Sequence, residues 1–126
     1  MKIALALGSA LLVPVLALAA PPQKSPELLG KGKTSFTTNC VLCHGEKGDG
    51  NGPAGAQMNP KPRDFSDVKS YKNGSKPEQI FKTLAEGIPG SAMVPFAHLS
   101  EEERWALAYY VADTFHKPAG KAKGKK

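Results

Sequence analysis

Apolar and polar positions alternate with three distinct helical stretches separated by segments that have no period. In "SPELLGKGKTSFTTNCVLCH", Leu28, Leu29, Gly32, Phe36, Cys40 and Cys43 recur mostly at intervals of three and four, which predicts an amphipathic helix carrying both cysteines on its apolar side. Pro26 stands near its start, where a first-turn proline is tolerated. Gly45, Gly48, Gly50, Gly52 and Gly55 then break any regular structure, and a loop containing "NPKPRDFSD" follows. In "GSKPEQIFKTLAEG", Ser75 with Glu78 reads as a capping box, Pro77 as a first-turn residue and Gly87 as the stop. Ile80, Phe81 and Leu84 give this helix one apolar face. "IPGSAMVPF" is an extended loop punctuated by Pro89, Gly90 and Pro95. A last helix opens in "HLSEEERWALAYYVADTFHK", with Ser100 and Glu103 as its box and three acids in the first turn, where the helix dipole favours them. Leu107, Tyr110, Val111 and Thr114 form its stripe, flanked by Trp105 and Ala108. No strand or internal repeat is needed, so the expected class is all-α with three to four helices.

The first 20 residues, "MKIALALGSALLVPVLALAA", belong to none of these helices. One lysine precedes an apolar run from Ile3 to Leu18, and Ala17-Leu18-Ala19 fits a small-residue cleavage site, so residues 1–19 read as a secretory signal. The run is shorter than the ~20 residues of a membrane span; an uncleaved N-terminal anchor is the alternative. Removing those 19 of 126 residues leaves 107, one domain's length. The expected location is the periplasm or another exported compartment.

The net charge of +6 lies at the ends. Without Lys2 and the five lysines from Lys117 to Lys126, 11 basic residues face 11 acidic ones, so the body is not a nucleic-acid surface. The tail, residues 117–126, has too few apolar residues to order itself; it reads as a solubilising end, or as a docking arm for an acidic partner.

The chain has two cysteines, and "CVLCH" holds both. A disulfide closing two residues would constrain little. A thioredoxin-like pair needs a βαβ setting that is missing here. Zinc needs four ligands, and Cys40, Cys43 and His44 supply three, with His98 and His116 far along the chain. The string matches the signal for covalent c-type haem attachment, in which two thiols add to the haem vinyl groups and the adjacent histidine reaches the iron.

Three stretches in register, "GKTSFTTNCVLCHGEKGDGNGPAG", "FKTLAEGIPGSAMVPF" and "LSEEERWALAYYV", make the chain resemble class I cytochromes c of the small bacterial, periplasmic, monohaem type over residues 27–116, after a Pro-rich segment at 20–26. The resemblance implies one covalent haem c, Cys40 and Cys43 as thioether residues, and His44 and Met93 as axial iron ligands. It also implies that Gly32 and Phe36 on the first helix meet Leu107 and Tyr110 on the last. Many relatives have proline straight after the ligand methionine, whereas Val94 intervenes here. Met58 falls where the family has an apolar packing residue; chain reach alone does not separate it from Met93. His98 and His116 are expected to be surface or hydrogen-bonding residues. With both axial positions filled, the implied function is one-electron transfer between a donor and an acceptor protein, without catalysis, by a monomer with no stable membrane span after cleavage. A haem subunit of a larger oxidoreductase, with Phe96 and Trp105 as exposed apolar contacts, or a catalytic haem protein such as a peroxidase component, is the alternative.

Overall fold

A computed structural model describes residues 20–116; the signal at 1–19 and the lysine tail at 117–126 lie outside the described residues. Four α-helices follow in order: α1 Pro26–Asn39, α2 Val41–His44, α3 Pro77–Glu86 and α4 Glu101–Phe115, with short 3-10 turns at Gly55–Gln57 and Val68–Ser70. The described residues contain no strand, and the all-α expectation holds.

Ser25 starts α1, its side chain accepting the Leu28 N–H at 3.1 Å, and Pro26 fills the first turn. The predicted single helix through Cys43 is divided. Cys40 leaves helical geometry at φ −120°, although its N–H still reaches the Phe36 carbonyl at 2.9 Å. The thiols therefore flank a junction between α1 and the single turn of α2.

The start of α3 is displaced by one residue from the expected cap. Pro77 lacks an N–H and has its φ fixed, so it takes the first helical position; Lys76 becomes the cap and Gln79 the third residue. Gln79 Oε1 accepts the Lys76 N–H at 3.0 Å, in place of the predicted Ser75–Glu78 pair. At α4 the predicted box is present: Ser100 Oγ accepts the Glu103 N–H at 3.1 Å, and Glu103 Oε2 accepts the Ser100 N–H at 2.9 Å.

α4 packs against α1 on one side and α3 on the other, which explains four consecutive buried residues, Trp105 to Ala108. Gly32 makes the α1 crossing possible: a Cβ there would lie 2.7 Å from both Tyr110 Cβ and the Ala106 carbonyl carbon. Phe36 and Leu107 are the most deeply buried large side chains at this crossing, 2% and 1% exposed, and Phe36 meets Tyr110 with ring centroids 5.5 Å apart.

Two details of the α4 surface differ from expectation. Thr114 is exposed; Phe115, four residues after Val111, continues the stripe and meets Phe36 at 5.2 Å. Trp105 is buried rather than exposed, because it stacks on Phe81 of α3 at 4.3 Å. Phe96 is half-buried. The Pro-rich segment before α1 lies along α4, where Tyr109 donates to the Pro22 carbonyl at 2.9 Å and Lys24 pairs with Asp113 at 2.6 Å. No described helix is long and apolar enough to cross a membrane.

Candidate functional site

The helices and the two long loops surround a cavity of about 370 Å³, within the ~300–1,000 Å³ range of small-molecule and cofactor sites. Its walls are mainly apolar: Phe36 and Leu107 come from the helix crossing, Ile80 and Leu84 from α3, and Phe65 from the loop before it. Cys40, Cys43, His44, Met58 and Met93 all line it.

The "CVLCH" turn is held by its own backbone and by the glycine run after it. The Cys40 carbonyl accepts from the N–H groups of Cys43 at 3.2 Å and His44 at 2.8 Å. The last carbonyls of a helix have no partner within it. Here the chain folds back to supply them: Gly50 donates to His44, Gly52 to Cys43 and Ala54 to Leu42, at 2.9, 3.2 and 2.9 Å. Such a close wrap excludes side chains; a Cβ on Gly55 would sit 2.7 Å from the Cys43 carbonyl carbon. The glycines therefore serve to brace the "CVLCH" turn.

Neither cysteine lies in a disulfide; Cys40 is buried and Cys43 half-buried. Burial, assisted by Cys43, pushes the Cys40 thiol up to about 12. His44 stacks on Phe65 with centroids 4.5 Å apart. Its Nδ1 is buried without a hydrogen-bond partner, and burial pushes the imidazole down to about 4. At neutral pH it is therefore uncharged, the form that can ligate a metal.

Met93 is placed by the loop between α3 and α4. Its carbonyl accepts the Ile88 N–H at 2.9 Å, its N–H reaches Ser91 Oγ at 3.2 Å, and Phe96 N–H closes the loop onto the Leu84 carbonyl at 2.7 Å. Gly87, at φ +69°, allows the turn to press against this segment; a Cβ there would lie 2.7 Å from the Met93 carbonyl oxygen. Val94 lines the cavity yet is 57% exposed, so the inserted residue sits at the cavity's rim. Met93 packs against the buried core. Met58 follows the 3-10 turn at Gly55–Gln57, its N–H bound to the Gly55 carbonyl at 3.1 Å.

His98 is exposed beside Phe96, and His116 shares a 2.9 Å hydrogen bond with the Tyr71 hydroxyl; neither lines the cavity. Lys61, Arg63, Tyr71 and Lys72 also line it, and no periodic pattern in the sequence marks them. The one available signal is the arginine directly after Pro62 in the "NPKPRDFSD" loop.

Two thiols across one turn, a neutral buried imidazole and thioether sulfurs on the walls of an apolar cavity are a donor set suited to a covalently held haem. Fold and site together define a small helical haem-binding domain. The family model for Cytochrome c matches residues 29–115, and the chain belongs to this family; its cofactor is covalently bound haem c, with iron. The fold is similar to a chain of the reducing HAO-like protein complex Kustc0457/Kustc0458 of Kuenenia stuttgartiensis, with a TM-score of 0.71 and 29% identity over 82% of this chain and 50% of the other. It is also similar to the KustC0563 c-type cytochrome, with a TM-score of 0.50 and 29% identity over 68% and 98%. Cytochrome cL from Methylophaga aminisulfidivorans MPT shares the fold, with a TM-score of 0.53 and 21% identity over 79% and 75%. Among curated proteins, the chain is 29% identical over 96 residues to thiosulfate dehydrogenase of Thiomonas intermedia (strain K12). That match covers 71% of this chain and 27% of the relative, so the chain spans about a quarter of that protein's length.

Proposed function

We propose that the protein is an exported one-electron carrier in which Cys40 and Cys43 hold haem c through two thioethers, while His44 and Met93 ligate its iron. The observation that carries this reading is the convergence of all four side chains on one cavity. A haem held there supplies a one-electron Fe³⁺/Fe²⁺ couple. His44 offers a neutral ring nitrogen, and Met93 a soft sulfur that favours the ferrous state and raises the potential relative to two histidines. The braced α2 turn and the pinned Met93 loop would keep both ligands in place in either oxidation state. That limits reorganisation and leaves no coordination position for a substrate. Apolar walls exclude water, and the covalent bonds would retain the group even when a ligand opens.

The test is an intact mass of protein matured in a haem-attaching host. The expected mass is the polypeptide from Ala20 plus one haem, with the haem resistant to acid-acetone extraction. Two free thiols in the matured protein would sink the attachment proposal, and a mass that retains residues 1–19 would sink signal cleavage.

A second reading has support from a specific likeness: the neighbour with the TM-score of 0.71 is part of a protein complex, and this chain matches half of that neighbour. In this reading the same haem passes electrons within a larger oxidoreductase assembly. Sedimentation of the native envelope extract separates the two, since a free carrier migrates at its own mass and a subunit with its partners.

A further inference from the structure

Four asparagines occur in the chain, and two of them, Asn51 and Asn73, stand directly before glycine. In such a pair the asparagine amide is open to its own backbone: the next nitrogen can attack the side-chain carbon, and glycine has no Cβ to hinder the approach. The fold treats the two pairs differently. Gly52 belongs to the wrap beneath the "CVLCH" turn. It is buried, its N–H is committed to the Cys43 carbonyl at 3.2 Å, and a Cβ there would collide with the Leu42 and Val41 carbonyls. The Asn51 amide is held as well, its Oδ1 accepting from Lys61 at 2.5 Å.

Gly74 is freer. It ends a turn that begins at Tyr71, and the closing bond from its N–H to the Tyr71 carbonyl is 3.4 Å long, beyond the usual range of about 2.7–3.2 Å. Its φ of +93° suits a residue without a Cβ, so the turn itself calls for glycine after Asn73. Asn73 is exposed, and its amide is tied by a contact to α3, Nδ2 donating to Thr83 Oγ1 at 3.2 Å. Asn73 and Gly74 line the cavity with Lys72 beside them, and none of the described lining residues is an Asp or Glu. Asn73 therefore stands at the rim of a cavity whose wall has no carboxylate among those residues.

We propose that Asn73 is a site of deamidation and that its conversion sets a carboxylate at the cavity rim. The Gly74 nitrogen gives up its proton to solvent base and bonds to Asn73 Cγ; the Cγ–Nδ2 bond breaks, and the amide nitrogen leaves as ammonia with a proton taken from water. Water then opens the cyclic imide at either carbonyl, leaving aspartate or isoaspartate, and nothing is oxidised or reduced. Asn51 is spared, because attack by Gly52 first requires its bond to Cys43 to open, and that strips a carbonyl of the "CVLCH" turn of its partner. The modification does not depend on the electron-carrier reading, but its consequence does. A negative charge on a wall whose formal charges are Lys61, Arg63 and Lys72 favours ferric iron, so the reduction potential falls as the protein ages.

The experiment ages the haem-loaded protein at mildly alkaline pH, maps its peptides by mass and by enzymatic methylation of isoaspartate, and records the haemochrome and the reduction potential. Asn73 is expected to convert at least about tenfold faster than Asn51, the ratio that ~1.4 kcal/mol of local opening supplies. The two rates should converge when the chain is aged in denaturant, where the wrap no longer covers Gly52. N73Q, whose longer side chain must close a larger ring, should remain unmodified and hold its potential through ageing. N73D, freshly made, should already have the lower potential of the aged protein. Equal conversion of Asn51 and Asn73 in the folded protein, or an intact Asn73 over an interval in which the denatured chain converts, would overturn the site. A fresh N73D with the wild-type potential would overturn the effect on the haem. A wild-type protein without a thioether haemochrome would overturn the electron-carrier reading and the effect on potential with it, while the peptide map decides the modification by itself.

Discussion

Met93→Ala in the haem-loaded protein is expected to abolish the weak sulfur-to-iron charge-transfer band of the oxidised form, lower the reduction potential, and let the reduced iron bind carbon monoxide stoichiometrically at neutral pH. Alanine has no donor atom, so under the proposed ligation the iron would lose the soft ligand that favours its ferrous state. The loop itself should survive, because its closing hydrogen bonds run through the backbone of Ile88, Met93, Phe96 and Leu84 and through Ser91 Oγ, all unaffected by truncation at position 93. Met58→Leu is the necessary comparison, since both methionines line the cavity. Leucine replaces thioether packing with hydrocarbon packing of similar volume, a change that usually costs less than ~1.5 kcal/mol. Band, potential and carbon monoxide exclusion should all persist. Were Met58→Leu to lose the band and Met93→Ala to keep it, the axial ligand would come from the loop after the glycine wrap and the assignment would reverse.

The parts of this molecule governed by local rules were legible in the sequence. "CVLCH" fixes its chemistry within five residues, and Ser100 with Glu103 marks the start of α4 because both partners of the box lie in one turn. Local competition accounts for the near miss at α3. Two overlapping cap patterns were present, Ser75–Glu78 and Lys76–Gln79, and Pro77 selects the second by occupying the first helical position. The junction at Cys40 has no comparable signal: no proline or glycine stands there, and the chain bends because the turn below it is tied to the Gly50–Ala54 backbone.

Contacts distant in sequence were the least legible. Nothing local indicates that Lys24 pairs with Asp113, 89 positions away, or that Trp105 is covered by Phe81. Arg63 shows the same difficulty at the site. Its loop has no period to analyse, and its meaning depends on the cavity that distant elements close around it. In the sequence the glycine run marks only a break in regular structure; in the fold Gly50, Gly52 and Ala54 satisfy the carbonyls of the "CVLCH" turn.

The α1–α4 crossing yields the largest expected change in stability from a single added methyl group. Gly30 and Gly32 both lie in α1, and in a helix alanine is preferred to glycine by about 0.8–1 kcal/mol. Propensity alone therefore predicts that both Gly→Ala changes stabilise the protein. Packing separates them. A Cβ on Gly30 meets nothing within 4 Å, whereas one on Gly32 falls 2.7 Å from Tyr110 Cβ and from the Ala106 carbonyl carbon. The obstacle at Gly32 is the body of α4, which no change of side-chain rotamer can remove. Overpacking a close-packed interior costs roughly 1–3 kcal/mol, occasionally more, enough to outweigh the propensity gain. Gly30→Ala should raise the denaturant midpoint of the haem-loaded protein by the equivalent of about 0.5–1 kcal/mol. Gly32→Ala should lower the stability by about 1–3 kcal/mol, and the β-branched Gly32→Val by more, since it adds bulk at the same contact and disfavours the helix as well. For a domain of this size each kcal/mol corresponds to roughly 4–8 °C in Tm, so the two alanine variants should melt on opposite sides of wild type. The crossing carries Phe36 and Leu107 into the cavity wall, and Gly32→Val should also weaken the methionine-sulfur band as α1 is displaced. Equal stabilisation by both alanines would show that α1 and α4 are farther apart in solution than this crossing requires.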